Sequence, residues 1–183
     1  MILQTVPGMK LRKKEPRIPK CESESGMICK PGSCENCLAI FEQKFIEKRA
    51  TTGMGYGLFA NQNIEEGEYI VKYTGEMSNN KPDIFTEYTV GIEVQSKKGK
   101  TSVKYIDASN SRSLGKFANH SCVYNATFVE VFSHDNDVPQ LWIRAHKYIT
   151  MFEEITVHYG DDMFNYINEK YGCGCEKCYK PSA

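Results

Sequence analysis

The sequence predicts a mostly β fold with short helices, assembled from several small sheets. Three observations lead there. Segments 68–74 (EYIVKYT), 88–94 (YTVGIEV), 127–132 (TFVEVF) and 141–145 (LWIRA) are short and rich in β-branched and aromatic residues, which suit a pleated, half-buried surface. Pieces rich in Asn, Gly, Pro and Lys, at 78–83, 95–101 and 133–139, separate them, as turns do. The strands do not alternate with long amphipathic helices, so a parallel, doubly wound nucleotide-binding sheet is disfavoured.

Taken in order, residues 1–20 read as a basic tail broken by Pro7, Pro16 and Pro19. The tail holds six cations and one anion, while the whole chain of 183 residues balances 23 basic against 23 acidic side chains. Zero net charge excludes a protein held to nucleic acid by bulk charge alone. The tail itself reads as solvated chain, or as a nuclear address or a phosphate-contacting arm for nucleosomal DNA. The first residues lack the pattern of a signal peptide. No apolar run approaches the roughly 18 residues of a membrane helix, so no membrane partner is expected. Hydrophobic residues at 40% suffice for a packed core. Segment 38–49 is ambiguous: Leu38, Phe41 and Phe45 have helical spacing in a short stretch. Met163, Phe164 and Ile167 would form one face of a short helix.

Eight cysteines fall into groups. Cys21, Cys29, Cys34 and Cys37 lie near the front, Cys173, Cys175 and Cys178 near the end, and Cys122 stands between. Disulfides fit poorly with a chain showing no export signal, and no thioredoxin-like pattern surrounds the Cys34–Cys37 pair. Zinc suits the spacing best, because thiolates two to four residues apart fill a tetrahedral shell. The front group could close one site alone. The end group supplies three thiolates and needs a fourth, and Cys122 is the spare one.

Four further segments point to chemistry. TGMGYGLFA (52–60) carries three glycines that permit tight bending and close backbone approach. KFANHSCVYN (116–125) places Asn119 and His120 in an apolar setting, where such groups are commonly hydrogen-bonded core residues. EEITVHYG (153–160) ends on Tyr159, and CGCEKC (173–178) closes the series. A tyrosine at a strand end is by itself an ordinary structural residue.

In this order and spacing the segments resemble the SET-domain family of protein-lysine methyltransferases over roughly residues 44–180. TGMGYG is similar to the family's opening glycine motif, YTGE (73–76) to its Y-x-G-E strand, KFANHSCVYN to R-F-x-N-H-S-C-x-P-N, EEITVHYG to E-E-[IL]-x-x-x-Y-G, and CGCEKC to the post-SET zinc motif. The front cysteines resemble, more loosely, a reduced pre-SET or AWS-type module. The implied division is a basic tail (1–20), a pre-SET-like zinc module (21–43), the SET domain (44–160) and a post-SET segment (161–183).

The resemblance implies small sheets around a C-terminal pseudoknot, formed where NHSC meets the Tyr159 segment. It implies transfer of a methyl group from S-adenosylmethionine to a lysine side chain of a histone tail. The alternatives are a non-histone protein lysine, or a SET-like chromatin scaffold that has lost catalysis. A nuclear, chromatin-associated location follows from the histone reading. Tyr159 is implied as the catalytic tyrosine, with Tyr88 as a second channel tyrosine. Met54, Gly55, Tyr56, Gly57, Lys116, Phe117, Asn119, His120, Tyr159 and Phe164 are implied in cofactor binding. Cys122, Cys173, Cys175 and Cys178 would hold the post-SET zinc, and Cys21, Cys29, Cys34 and Cys37 a second ion. Three departures stand out. Lys116 replaces an arginine and keeps the charge without the planar fork. Tyr124 replaces a proline, a change expected to alter only the turn. Val157 replaces a phenylalanine or tyrosine at the position that limits methyl number, and its smaller side chain leaves room for more than one methylation. His158 is expected to face solvent.

Overall fold

The computed structural model describes residues 45–51, 55–82, 86–95, 101–131, 139–160 and 175. The basic tail with its expected DNA contact, the front cysteines, Met54, the predicted helix at 163–167, Phe164, Cys173 and Cys178 lie outside the described residues.

Ten strands and one 3-10 turn make up the described elements, in the order β1 (Ile46–Thr51), β2 (Gly55–Ala60), β3 (Tyr69–Tyr73), β4 (Glu76–Ser78), β5 (Thr89–Gln95), β6 (Thr101–Asp107), the 3-10 turn Leu114–Phe117, β7 (Asn119–His120), β8 (Ala126–Val131), β9 (Gln140–Ala145) and β10 (Glu154–Val157). They form three small sheets, ordered β1-β2-β10-β7, β3-β9-β8 and β4-β6-β5. The mostly β reading with small sheets therefore holds. The ambiguous segment before residue 50 resolves against a helix from Ile46 onward. Its alternating burial, with Ile46 buried and Lys48 and Ala50 exposed, suits an edge strand paired to β2.

Each sheet buries one face. Leu58, Ala60, Ile70, Val71, Ile143, Ala145, Ile155 and Val157 lie together in the main core, joined by Ala118 and Ala126. Burying each of the larger aliphatic side chains contributes about 1.5–3 kcal/mol. A second cluster gathers Tyr73, Val90, Ile92, Val94, Ile106, Ala108 and Leu141, and Phe128 packs against both clusters. The boundary between the two clusters is where the cleft described below opens.

One crossing between sheets and one pairing within a sheet position the site. At Gly75, a Cβ would lie 2.2 Å from the Asp107 carbonyl oxygen. Only glycine lets the chain cross from β3 into β4 against the end of β6. At the second of these, β7 and β10 pair in parallel, Thr156 opposite Asn119 and Val157 opposite His120, whereas the other strand pairs run antiparallel. The amide of Ser121 continues this pairing by donating to the Val157 carbonyl at 3.0 Å.

Candidate active site

Asn125 secures the β7–β10 junction. It is 3% exposed, and its amide nitrogen donates to the Glu154 carbonyl at 2.7 Å and to Glu153 Oε1 at 2.9 Å. Its Oδ1 accepts from the Thr156 amide at 2.8 Å. Its backbone carbonyl accepts from the His146 amide at 2.8 Å. A buried amide with its groups satisfied in this way ties the loop after NHSC to β10 and to the end of β9. Glu153 in turn accepts from the Thr150 amide and hydroxyl, which closes the turn before β10.

On the same junction, Asn119 donates to Glu154 Oε1 at 2.8 Å and to the Tyr56 carbonyl at 3.2 Å. It thereby joins β7, β10 and β2. Gly57 makes room for this arrangement, since a Cβ there would meet Glu154 Oε1 at 2.4 Å and Thr51 Cγ2 at 2.8 Å. The glycine-rich segment, read from sequence as a bend, thus runs as a strand from Gly55. The close approach at Gly57 is by the Glu154 side chain.

His120 accepts the Tyr159 amide at Nδ1, 3.2 Å away. The neutral ring therefore carries its proton on Nε2, which faces Cys122 Sγ at 3.6 Å. Burial, followed by the neighbouring His158, pushes His120 down to about 4, so the ring is neutral at physiological pH. His158 is half-buried, contrary to the solvent-facing expectation. Its ring packs on His120 at 5.0 Å and on Tyr124 at 5.8 Å, and its Nδ1 accepts the Gly160 amide. Tyr124 also packs on His146 at 5.4 Å, so the residue that takes the place of proline supplies an aromatic contact as well as a turn.

Tyr159 leaves β10 and turns its ring across this junction. Its hydroxyl donates to the Ala118 carbonyl at 2.9 Å, and its ring lies 5.5 Å from that of His120. It lines a cleft with Tyr73, Glu87, Val90, Lys116 and Phe128. Burial, then the nearby Tyr88, Glu87 and Glu154, holds its phenol above the ordinary tyrosine range. Tyr73 behaves likewise, mainly through burial, and its hydroxyl donates to the Tyr88 carbonyl at 2.8 Å. Both phenols are neutral donors across the physiological range.

Lys116 reaches into the same cleft. Its ammonium donates to the Ser109 and Ser111 carbonyls, each at 2.9 Å, and sits 5.7 Å from the centre of the Tyr88 ring and 5.5 Å from that of Phe117. Single carbonyl oxygens need no bidentate fork, so a lysine serves here. On the far side of Phe117, Tyr56 is 51% exposed and meets the Phe117 ring edge-on at 6.1 Å. Lys48 lies 4.2 Å above the Tyr56 ring. Gly55 itself has a positive φ of 73°, a backbone conformation that favours glycine.

The structure thus gathers Tyr159, Lys116 and Tyr88 on one side, and Gly55, Tyr56, Phe117, Asn119 and His120 around the adjoining junction. Val157 is fully buried in the main core, with its backbone in the β7–β10 pair. Cys122 is half-buried and Cys175 buried. Among the described residues no group of three or more His, Cys, Asp and Glu is placed to hold a metal. Several cleft residues carry no role in the sequence reading, Tyr73 and Glu87 among them. Tyr73 stands in the quoted YTGE motif, which is the one sequence signal that could have singled it out.

The raised phenol of Tyr159 has a definite pH signature. Burial favours the protonated form in the fold, so this stabilisation is present below the ordinary phenol pKa and lost as pH rises beyond it. In a spectrophotometric titration, Tyr159→Phe should leave the tyrosinate signal of the folded chain between roughly pH 9 and 11 unchanged. It should remove one tyrosine from the total released on alkaline unfolding.

Comparison with known proteins agrees with this geometry. The SET domain family model matches residues 55–160. A histone-lysine N-methyltransferase of Candida albicans, named as H3 lysine-36 specific, is 34% identical over 131 residues, covering 69% of this chain and 15% of that protein. A probable histone-lysine N-methyltransferase of Caenorhabditis elegans, set-23, is 28% identical over 188 residues, covering 96% of this chain and 76% of that protein. The crystal structure of the methyltransferase domain of human histone-lysine N-methyltransferase SETMAR superposes with a TM-score of 0.52 at 25% identity, over 68% of this chain and 49% of that one. The chain spans about a fifth or less of the first two fungal relatives it matches. With the family model covering more than half of its residues, the chain belongs to the SET-domain family.

Proposed function

We propose that this chain is a protein-lysine N-methyltransferase that acts on a histone tail, with S-adenosylmethionine as methyl donor. The observation that carries the reading is the Tyr159 phenol, held by the Ala118 carbonyl at the end of a cleft walled by Tyr73, Val90 and Phe128. The names of the relatives support a histone substrate. Two of them specify H3 lysine 36, which makes that residue the first target to test. A nuclear, chromatin-associated role follows from a histone substrate.

The residues around the junction fit the cofactor. The exposed Tyr56 ring and the Phe117 ring it meets edge-on suit a purine nucleoside, and the adjoining Asn119 and backbone groups suit its polar parts. Gly55, Tyr56, Phe117, Asn119 and His120 would hold it, with Met54 adjoining Gly55 in sequence and Phe164 a further contact that the resemblance implies. When bound, S-adenosylmethionine supplies an electrophilic methyl group on a sulfonium centre.

The chain's own residues do the rest. Tyr159 donates its one proton to Ala118, which leaves the oxygen's lone pairs to accept an N–H from the lysine amine and aim the nitrogen. A lysine amine has a pKa near 10.4 in water, roughly 4.6 kcal/mol from neutrality at pH 7. Aromatic and aliphatic walls disfavour its charge and lower that pKa. Tyr88, its carbonyl bonded by Tyr73 and its ring beside the Lys116 ammonium, would stand near the approach of the lysine. By the resemblance, a side chain as small as Val157 at the position that limits methyl number would allow more than one methylation.

Zinc belongs to the same reading. Cys122 and Cys175 with Cys173 and Cys178 would supply the four thiolates of a structural site, and Cys21, Cys29, Cys34 and Cys37 those of another. Such sites contribute on the order of 10–16 kcal/mol to folding of the segments they join.

Labelled methyl transfer to core histones tests the proposal. Wild type should label histone H3, and Tyr159→Phe should lose about a hundredfold or more in kcat/KM while still binding the cofactor. No transfer to any histone would overturn the histone reading, and equal rates for the two proteins would overturn the role of Tyr159. Elemental analysis should find about two zinc ions per chain, falling to about one in Cys122→Ser. Unchanged zinc content in that variant would exclude Cys122 as a ligand.

A further inference from the structure

The cleft beside Tyr159 has two charged side chains in its lining, Lys116 and Glu87. They differ in what they do. The Lys116 ammonium is committed to two backbone carbonyls and covered by two aromatic rings. Its charge is thus largely spent on the turn at 109–111. Glu87 is an exposed residue of the same lining.

The turn that carries Glu87 is fastened from several sides. Thr86 Oγ1 accepts the Tyr88 amide at 3.3 Å, lies 2.9 Å from Thr89 Oγ1 and donates to Asp107 Oδ1 at 3.2 Å. The Thr89 amide donates to the Thr86 carbonyl at 3.1 Å. The Tyr88 carbonyl accepts from both the Tyr73 hydroxyl and the Ala108 amide. Asp107 is itself held by the amide and hydroxyl of Ser109. These bonds bracket residue 87 on both sides and leave its side chain outside them. A surface turn between two strands does not need that many bonds for its own stability. Their effect is a charged side chain whose backbone is held in one place at the mouth of the site.

A lysine side chain reaches the cleft as an ammonium, because its pKa in water is near 10.4. The walls beyond the rim are Tyr73, Val90, Phe128 and Tyr159, whose rings attract a cation weakly but supply no opposite charge to replace lost water. A carboxylate at the entrance offsets part of that loss while the chain is still charged and solvated.

Resting on the methyltransferase reading above, we propose that Glu87 is a substrate-positioning residue, whose carboxylate captures the ammonium of the target lysine at the mouth of the Tyr159 cleft. Glu87 does not take part in the methyl transfer itself. Its removal therefore weakens capture of the peptide and leaves the committed complex unchanged.

The test compares wild type with Glu87→Gln on two lysine peptides of equal length, one with neutral residues flanking the lysine and one with basic residues. Full-length protein is used, with thermal melting as the check on folding. Expected for both peptides is a rise in KM of about three- to tenfold with kcat within about twofold, and a KM less sensitive to added salt. The KM for S-adenosylmethionine should stay constant. Glu87→Asp, which keeps the charge, should recover most of the loss. An effect confined to the basic-flanked peptide would overturn the assignment, because the carboxylate would then read the neighbours of the target and not the target itself. An active wild type with an unchanged peptide KM in Glu87→Gln would overturn it outright. A wild type with no transfer to either peptide would overturn the methyltransferase reading, and this proposal with it.

Discussion

The parallel pairing of β7 with β10 is the constraint on which the rest of the site depends. It joins the NHSC segment to the strand that delivers Tyr159, two stretches nearly forty positions apart in sequence. Two residues on each strand make a short ladder, too little to persist alone. Side chains extend it: Asn125 bonds to three backbone or carboxylate groups of 153–156, and Asn119 bonds across to β2. The core beneath, with Ile155 and Val157 fully buried, supplies the hydrophobic part of the stabilisation. Tyr159 is positioned as a consequence, since its amide and its hydroxyl are both bonded to the 118–120 segment.

The electrostatics of the junction follow from burial. His120 stays neutral and can accept at Nδ1, which an imidazolium could not do. Tyr73 and Tyr159 keep their protons and can donate to carbonyls. A site assembled from neutral donors and acceptors, with one acidic residue, Glu87, in its lining, suits a reaction in which a cation must enter and then lose its charge. Lys116 adds positive charge to the wall, but two carbonyls and two rings hold that charge in place.

Much of this was legible in the sequence, in uneven fashion. Segments 68–74, 88–94, 127–132 and 141–145 match β3, β5, β8 and β9 within a residue or so, because each buries enough β-branched and aromatic surface to mark itself. Strand β10 is implied by reading Tyr159 at a strand end, whereas β1, β2, β6 and β7 are not marked. β2 is hidden by glycines whose purpose is close approach, and β7 has only two residues, held by pairing partners distant in sequence. The 38–49 segment carried a helical spacing that the edge pairing of Ile46–Thr51 overrode, as tertiary context overrides weak propensity. The family motifs named Asn119, His120 and Tyr159, yet motif spacing could not show that Val157 lies in the core or that His158 packs against His120. Glu87 had no motif to mark it. Its position depends on bonds between residues 73, 86, 89 and 107, which only the folded chain brings together.

The central claim is spatial: the β7–β10 junction holds the Tyr159 phenol where a lysine amine arrives. A crystal structure of this chain with a lysine peptide and the demethylated cofactor tests it most directly. The account predicts the ε-nitrogen in the cleft between Tyr73, Val90 and Phe128, within hydrogen-bonding reach of Tyr159 Oη, about 2.6–3.2 Å. A peptide lysine bound elsewhere, or a Tyr159 hydroxyl turned away from the amine, would contradict it.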